Sequence, residues 1–323
     1  MRRFFRPRRV ALLFALIAAV AGYFRFVHFH RGPAPGLTGK IAHGSLRVGD
    51  RERTFAYYAP SPLPVHAPLL LAFHGSSETG DSFRWHTGYG FDQVADTDGF
   101  VVVYPDGFER HWNDCRKEAS YSARTLNIDD IGFVRALIAH FQSTLGIDPT
   151  RVFATGHSNG GQMAYRLGLE MAGEIRGIAA ISASLPTPEN SMCKEGGKPV
   201  PALIMNGTDD PLNPYDGGRV TLFGFGNRGL VRSSLETALY FAKLDGAPST
   251  PSLERLPSPD STVWVEEAKW GSPGRVADVE LDTIHGGGHV VPQGRSFYPR
   301  ILGRTDSDFD GPAEIGRFFS QLR

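Results

Sequence analysis

Apolar, strand-length runs recur along this chain with helix-patterned segments between them, and that alternation narrows the fold more than any other feature. The runs fall at 68–73, 100–104, 151–155, 177–183 and 201–205, with a further one at 276–284. None alternates cleanly between apolar and polar residues. A strand that is apolar on both faces is buried on both faces, which is the condition of a parallel sheet covered by helices. The intervening segments supply those helices. In 129–145, Ile131, Val134, Leu137, Ile138 and Phe141 fall at spacings of three and four, the period of one helix face. The same period recurs at 160–172, 233–244 and 312–322. Residues 41–58 suit one or two leading antiparallel strands, and 247–261, rich in Pro and Ser, suits a surface loop. The expected class is α/β, a mostly parallel central sheet flanked by helices.

Within that frame, "GHSNGG" at 156–161 follows an apolar run and precedes a helical one. Strand, G-x-S-x-G and helix in that order is the pattern of a nucleophile elbow. Side chains at 156 and 160 would collide with the neighbouring strand or helix, which calls for glycine at both. The turn would lift the Ser158 hydroxyl above the C-terminal edge of the sheet and aim the next helix N-terminus at it, where the dipole favours developing negative charge. G-x-S-x-G alone also fits an ordinary Gly-rich turn, so Ser158 needs partners. A serine hydroxyl requires a base, and the base requires an orienting acid. "IMNGTDDPLNPY" at 204–215 puts Asp209 and Asp210 in the loop after a strand. "VELDTIHGGGHVVP" at 279–292 ends another strand with three glycines and His289, with His285 just before them. Ser, Asp, His is the chain order of α/β-hydrolases. "LLLAFHGSS" at 69–77 ends a strand in His74-Gly75, a loop suited to give one oxyanion-hole amide, Ser76; the residue after the nucleophile, Asn159, gives the second.

Together with "VVVYPDG", "HWNDC", "NIDDIGFVRALI", "RVFATGHSNGGQMAYRL" and "NGTDDPLNPYDGG", these motifs resemble the esterase/polyhydroxybutyrate depolymerase family of α/β-hydrolases, which includes feruloyl esterases. The resemblance implies an α/β-hydrolase catalytic domain over 39–323, with the acid at Asp210 rather than Asp209 and the base at His289 rather than His285. Val290-Val291 replace the Thr-Trp or Ser-Trp of the family pattern, which removes an aromatic wall near the base. His74 and Trp112 are candidate substrate contacts, Trp112 being equally suited to the core. Asn159 would act through its amide, leaving its side chain replaceable. The implied activity is hydrolysis of feruloyl or aryl, hydroxyalkanoate or short-chain acyl esters, free or linked to polysaccharide, through an acyl-enzyme, with no cofactor and no metal. Two other readings share the motifs: a peptidase of the prolyl-oligopeptidase type, and a non-catalytic binding protein on the same fold.

Other motifs carry structure. Asp129-Asp130 stands where a helix is capped. "DSDFDG" at 306–311 imitates the start of a calcium loop, but its twelfth position is Arg317 where a bidentate Glu is required. Lys+Arg and Asp+Glu are both 34, but Arg2, Arg3, Arg6, Arg8 and Arg9 crowd the start and no acid precedes Asp50. Without residues 1–21, 29 basic residues face 34 acidic ones, a balance that argues against nucleic acid as a partner. The basic start, the uncharged stretch Val10 to Phe24 and Ala19-Val20-Ala21 read as a signal peptide within 1–30, or as an anchor and the chain's membrane contact if uncleaved. Residues 31–38 read as a linker. Export to the periplasm or medium would let Cys115 and Cys193, the two cysteines of the chain, form a disulfide.

Overall fold

The computed structural model describes residues 7–259, 261–271 and 278–322. Its ten-stranded sheet opens with a hairpin of β1 (Lys40–Val48) and β2 (Arg51–Ala59), in register from Lys40 opposite Ala59 to Val48 opposite Arg51. Six parallel strands follow in the spatial order β4 (Val101–Pro105), β3 (Leu69–Phe73), β5 (Val152–His157), β6 (Gly177–Ile181), β7 (Ala202–Gly207) and β12 (Val279–His285). β2 joins β4 antiparallel, and β11 (Trp264–Trp270) and β10 (Ser252–Arg255) close the far edge antiparallel. A two-stranded ribbon, β8 (Gly218–Arg219) with β9 (Leu230–Val231), stands apart.

β3, β4 and β6 read as nearly unbroken apolar runs because helices cover both faces. Leu69, Leu71 and Phe73 of β3 point into one core with α5 (Asp130–Leu145), α6 (Asn159–Glu170) and α7 (Ser234–Asp245). Leu70 and Ala72 point into the other, with α2 (Gly80–His86), α3 (Gly90–Asp98) and α8 (Gly311–Gln321). Asp129 caps α5 by accepting from the Gly132 amide at 2.7 Å, and Asp310 caps α8 through Ala313. A short α4 (Ser122–Thr125) completes the helices of the body.

One expectation needs correction. The surface loop at 247–261 contains β10, whose four side chains are all exposed; an edge strand that buries nothing leaves no apolar period to read. The stretch 31–38 has no regular structure and lies against the body. The Gly32 amide donates to Ser296 Oγ at 3.2 Å, the Arg31 guanidinium to Tyr89 at 2.6 Å, and Thr38 is bound by Asp96 through both amide and hydroxyl. Just before it, Phe29 stacks on His86 with ring centroids 4.0 Å apart. The N-terminal helix α1 spans Pro7–Phe26. No helix among the described residues is long and apolar enough to cross a membrane.

Candidate active site

Parallel strands place all their C-terminal ends along one edge of a sheet, so the loops after β3, β5, β7 and β12 meet. Ser158 occupies the step from β5 into α6 with φ 56° and ψ −116°, outside the helical and extended regions that a side chain prefers. The flanking glycines make the step feasible. A Cβ on Gly156 would lie 2.4 Å from Gly160, and one on Gly160 would lie 2.1 Å from the Phe73 carbonyl oxygen.

The loops after β7 and β12 are laced together. Asp209 N donates to Gly287 O at 2.9 Å, Gly286 N to Thr208 Oγ1 at 2.8 Å, and His289 N to Leu302 O at 2.6 Å. The triglycine is therefore a tight segment, and a Cβ on Gly288 would lie 2.1 Å from Leu302 O. This lacing brings His289 Nδ1 to 2.7 Å from Asp210 Oδ2, while Asp210 Oδ1 accepts from the Leu212 and Asn213 amides at 2.8 Å each. Asp209 is exposed and does not reach His289. His285 lies flat on Trp264, 3.8 Å between centroids. His289 and Ser158 line one cavity, with Ser76 on its wall. Neither the Ser76 nor the Asn159 amide has a partner among the described residues, whereas the neighbouring Ser77 amide donates to Arg110 O.

A model of the Phospholipase/Carboxylesterase family matches residues 113–222. The protein named "Putative esterase NocK" of Nocardia uniformis subsp. tsuyamanensis is 31% identical over 297 residues, 87% of this chain and 83% of its own length. The chain belongs to the esterases of the α/β-hydrolase superfamily. Feruloyl esterase C of Emericella nidulans is 32% identical over 66% of this chain and 74% of its own. Among solved structures, an acetyl xylan esterase from Aspergillus awamori shares the fold at TM-score 0.53 and 19% identity, over 78% of this chain and 95% of its own.

In this esterase two expected substrate contacts are not on the cavity wall. Trp112 and His74 are fully buried, at 0% exposure. They hold the loop carrying Ser76 from beneath: the Trp112 indole donates to His74 O at 2.9 Å, and His74 Nε2 accepts from the Gly107 amide at 2.9 Å. The loop is held from its other side by Glu78, which accepts from the Gly75 amide at 3.0 Å and from His86 Nδ1 at 2.7 Å. Burial alone would raise the Glu78 carboxyl, but the hydrogen bond and charge of His86 lead the effects that outweigh it and hold the group at about 2.

The Asn159 side chain, which the sequence suggested was replaceable, is hydrogen-bonded on both its oxygen and its nitrogen. It accepts from the Trp112 amide at 2.8 Å and donates to Asp114 Oδ2 at 2.6 Å and to Tyr121 at 3.1 Å. Asp114 also receives Arg116 Nη2 at 2.6 Å and the Tyr121 hydroxyl. His157 packs under His289, 4.9 Å between centroids, with neither ring nitrogen bonded. Burial and the His289 charge push its pKa to about 3, so it is neutral.

Sequence reasoning missed much of the cavity wall. Arg116, Gln162, Ser182, Leu222 and Arg228 line it, and only the adjacency of Arg116 to "HWNDC" hinted at one of them. Cys115 and Cys193 are bonded, Cα atoms 5.0 Å apart. The bond fixes the segment carrying Arg116, with Met192 N donating to Cys115 O at 2.9 Å. Carboxylates that could gather on a metal, Glu267, Glu280 and Glu314, lie on β11, β12 and α8 rather than at this cavity. Lys269 and Arg317 already pair with them.

Proposed function

We propose that this esterase works through a Ser158–His289–Asp210 triad and an acyl-enzyme. The observation that carries the reading is the 2.7 Å contact of Asp210 Oδ2 with His289 Nδ1, on an imidazole that shares a cavity with Ser158. His289 Nε2 takes the hydroxyl proton as Ser158 attacks the ester carbonyl. Asp210 holds the tautomer with Nδ1 protonated and stabilises the imidazolium. The oxyanion is received by the Ser76 and Asn159 amides, which the bonds to His74, Trp112 and Glu78 hold in place. His289 returns the proton to the leaving alcohol, and water, deprotonated by the same imidazole, clears the acyl group. No step calls for a cofactor.

The kinship to feruloyl and acetyl xylan esterases supports aryl or short-chain acyl esters as substrates, free or on polysaccharide. The disulfide and the basic, then apolar N-terminal segment support export. Cleavage after Ala21 would retain Phe29 and Arg31, which pack on the body. Ser158→Ala tests the mechanism: p-nitrophenyl acetate hydrolysis should vanish from a folded protein, and hydrolysis at the original rate would refute it.

A further inference from the structure

Two arginines and no acid line the cavity that holds Ser158 and His289. Their situations differ. Arg116 is buried and its charge is met by Asp114 at 2.6 Å, with Tyr121 completing the contact at 2.7 Å. Asp114 is then fully committed, because it also holds Asn159 and Tyr121. Arg228 comes from the segment beside β9, and its guanidinium has no ion pair and no hydrogen bond among the described residues. The Tyr121 ring lies 6.0 Å from its Cζ, and Arg116 and the committed Asp114 act on it through their charges. Glu118, the nearby acid, turns to the Asn227 side chain instead.

The placement of Arg228 is built in. Its amide donates to Val220 O at 3.0 Å and its carbonyl accepts from Asn190 Nδ2 at 3.1 Å. The next residue, Gly229, has φ +81°, and a Cβ there would strike Asn190 at 2.2 Å. Asn190 Oδ1 also accepts from the Glu118 amide at 3.0 Å, so one side chain sets the spacing between the segments carrying Arg116 and Arg228. Burial, then the charge of Arg116, depresses the Arg228 pKa. A half-buried cation facing a second one is unfavourable until an anion arrives, and a guanidinium fork is shaped to receive a carboxylate.

We propose that the esters this site takes carry a carboxylate, and that Arg228, backed by Arg116, binds it while Ser158 faces the ester carbonyl. The inference rests on the esterase mechanism at Ser158 and adds the class of its substrate. Gln162 Oε1, buried on the same wall with no hydrogen-bond partner among the described residues, offers an acceptor to a hydroxyl of the same ligand.

The test compares kcat/KM in two matched pairs. Mono-p-nitrophenyl glutarate against p-nitrophenyl valerate places the charge on the acyl side; 4-acetoxybenzoate against phenyl acetate places it on the alcohol side. The charged member of one pair should be preferred about tenfold or more. Arg228→Gln should lower that charged-to-neutral ratio by a similar factor. In the unaltered protein the ratio should fall as salt rises from about 20 to about 500 mM, a measurement that needs no variant. Equal or better turnover of the neutral member in both pairs, or a ratio indifferent to salt, overturns the inference while leaving Ser158 as nucleophile. Hydrolysis that survives in Ser158→Ala overturns both.

Discussion

Asp114 and Asp282 are both buried carboxylates, and they live in opposite circumstances. Asp114, beside the cavity, receives Arg116, Tyr121 and Asn159. Burial alone would raise its pKa, but Arg116 and these hydrogen bonds outweigh it and hold it below the usual carboxylate range. Asp282, on β12, has no hydrogen-bond partner at either oxygen among the described residues and lies opposite Glu267 of β11. Burial, then Glu314, Glu280 and Glu267, pushes its pKa well above the ordinary carboxylate value. One network fixes segments that wall the cavity holding Ser158 and His289. The other, centred on the middle of β12, crowds carboxylates around a buried one, which favours its protonated form. A buried polar group stabilises a fold when every member is satisfied and burdens it when one is not.

Substitutions should therefore have opposite signs in the two regions. The largest effect belongs to the cavity: Asp210→Asn leaves the His289 contact but favours the wrong tautomer, and kcat/KM for p-nitrophenyl acetate should fall about 10⁴-fold. Next, Asp114→Ala strands Arg116 beside Arg228, and the denaturant midpoint should report a loss of about 3 kcal/mol. The same carboxylate sets a pH dependence. With its folded pKa below the unfolded value, its stabilisation is present above the unfolded pKa, near 4, and is lost as pH falls through the folded one. Separating Cys115 from Cys193 by Cys193→Ser should cost about 2–4 kcal/mol. It should also weaken catalysis on charged esters, because the segment carrying Arg116 is released.

The smallest effect should be a gain. Asp282 has a folded pKa above its unfolded one, so its contribution is most favourable below the unfolded pKa and is lost as pH rises toward the folded value. Asp282→Asn should raise the Tm at pH 8 by about 2–4 °C and by less at pH 4.5. A loss at pH 8 would mean that Asp282 is satisfied after all, and the comparison with Asp114 would fail.

The sequence disclosed what repeats or is spaced by rule. Apolar runs located the parallel strands because both faces are buried, and the glycines of "GHSNGG" announced a backbone step that no side chain survives. Thr79 forms a capping box with Ser82 at the start of α2, but that short helix has no long apolar period to reveal it. The cavity wall was harder still. Arg228 and Ser158 are seventy residues apart in the chain, and only the packing of β9 and Asn190 sets their segments around one cavity. Trp112 stayed open between cavity and core for a related reason: an aromatic beside a motif looks the same in sequence whether it lines a cavity or supports one from beneath. The Asn159 side chain was undervalued because its partners, Asp114 and Tyr121, come from another loop.

The central claim is that Ser158 is the nucleophile, activated by His289. A fluorophosphonate probe, followed by peptide mapping of the labelled protein, tests it most directly. The adduct should sit on Ser158, form in the unaltered protein and be suppressed in His289→Gln. An adduct on another residue, or ester hydrolysis that persists in a protein whose Ser158 stays unlabelled, would contradict it.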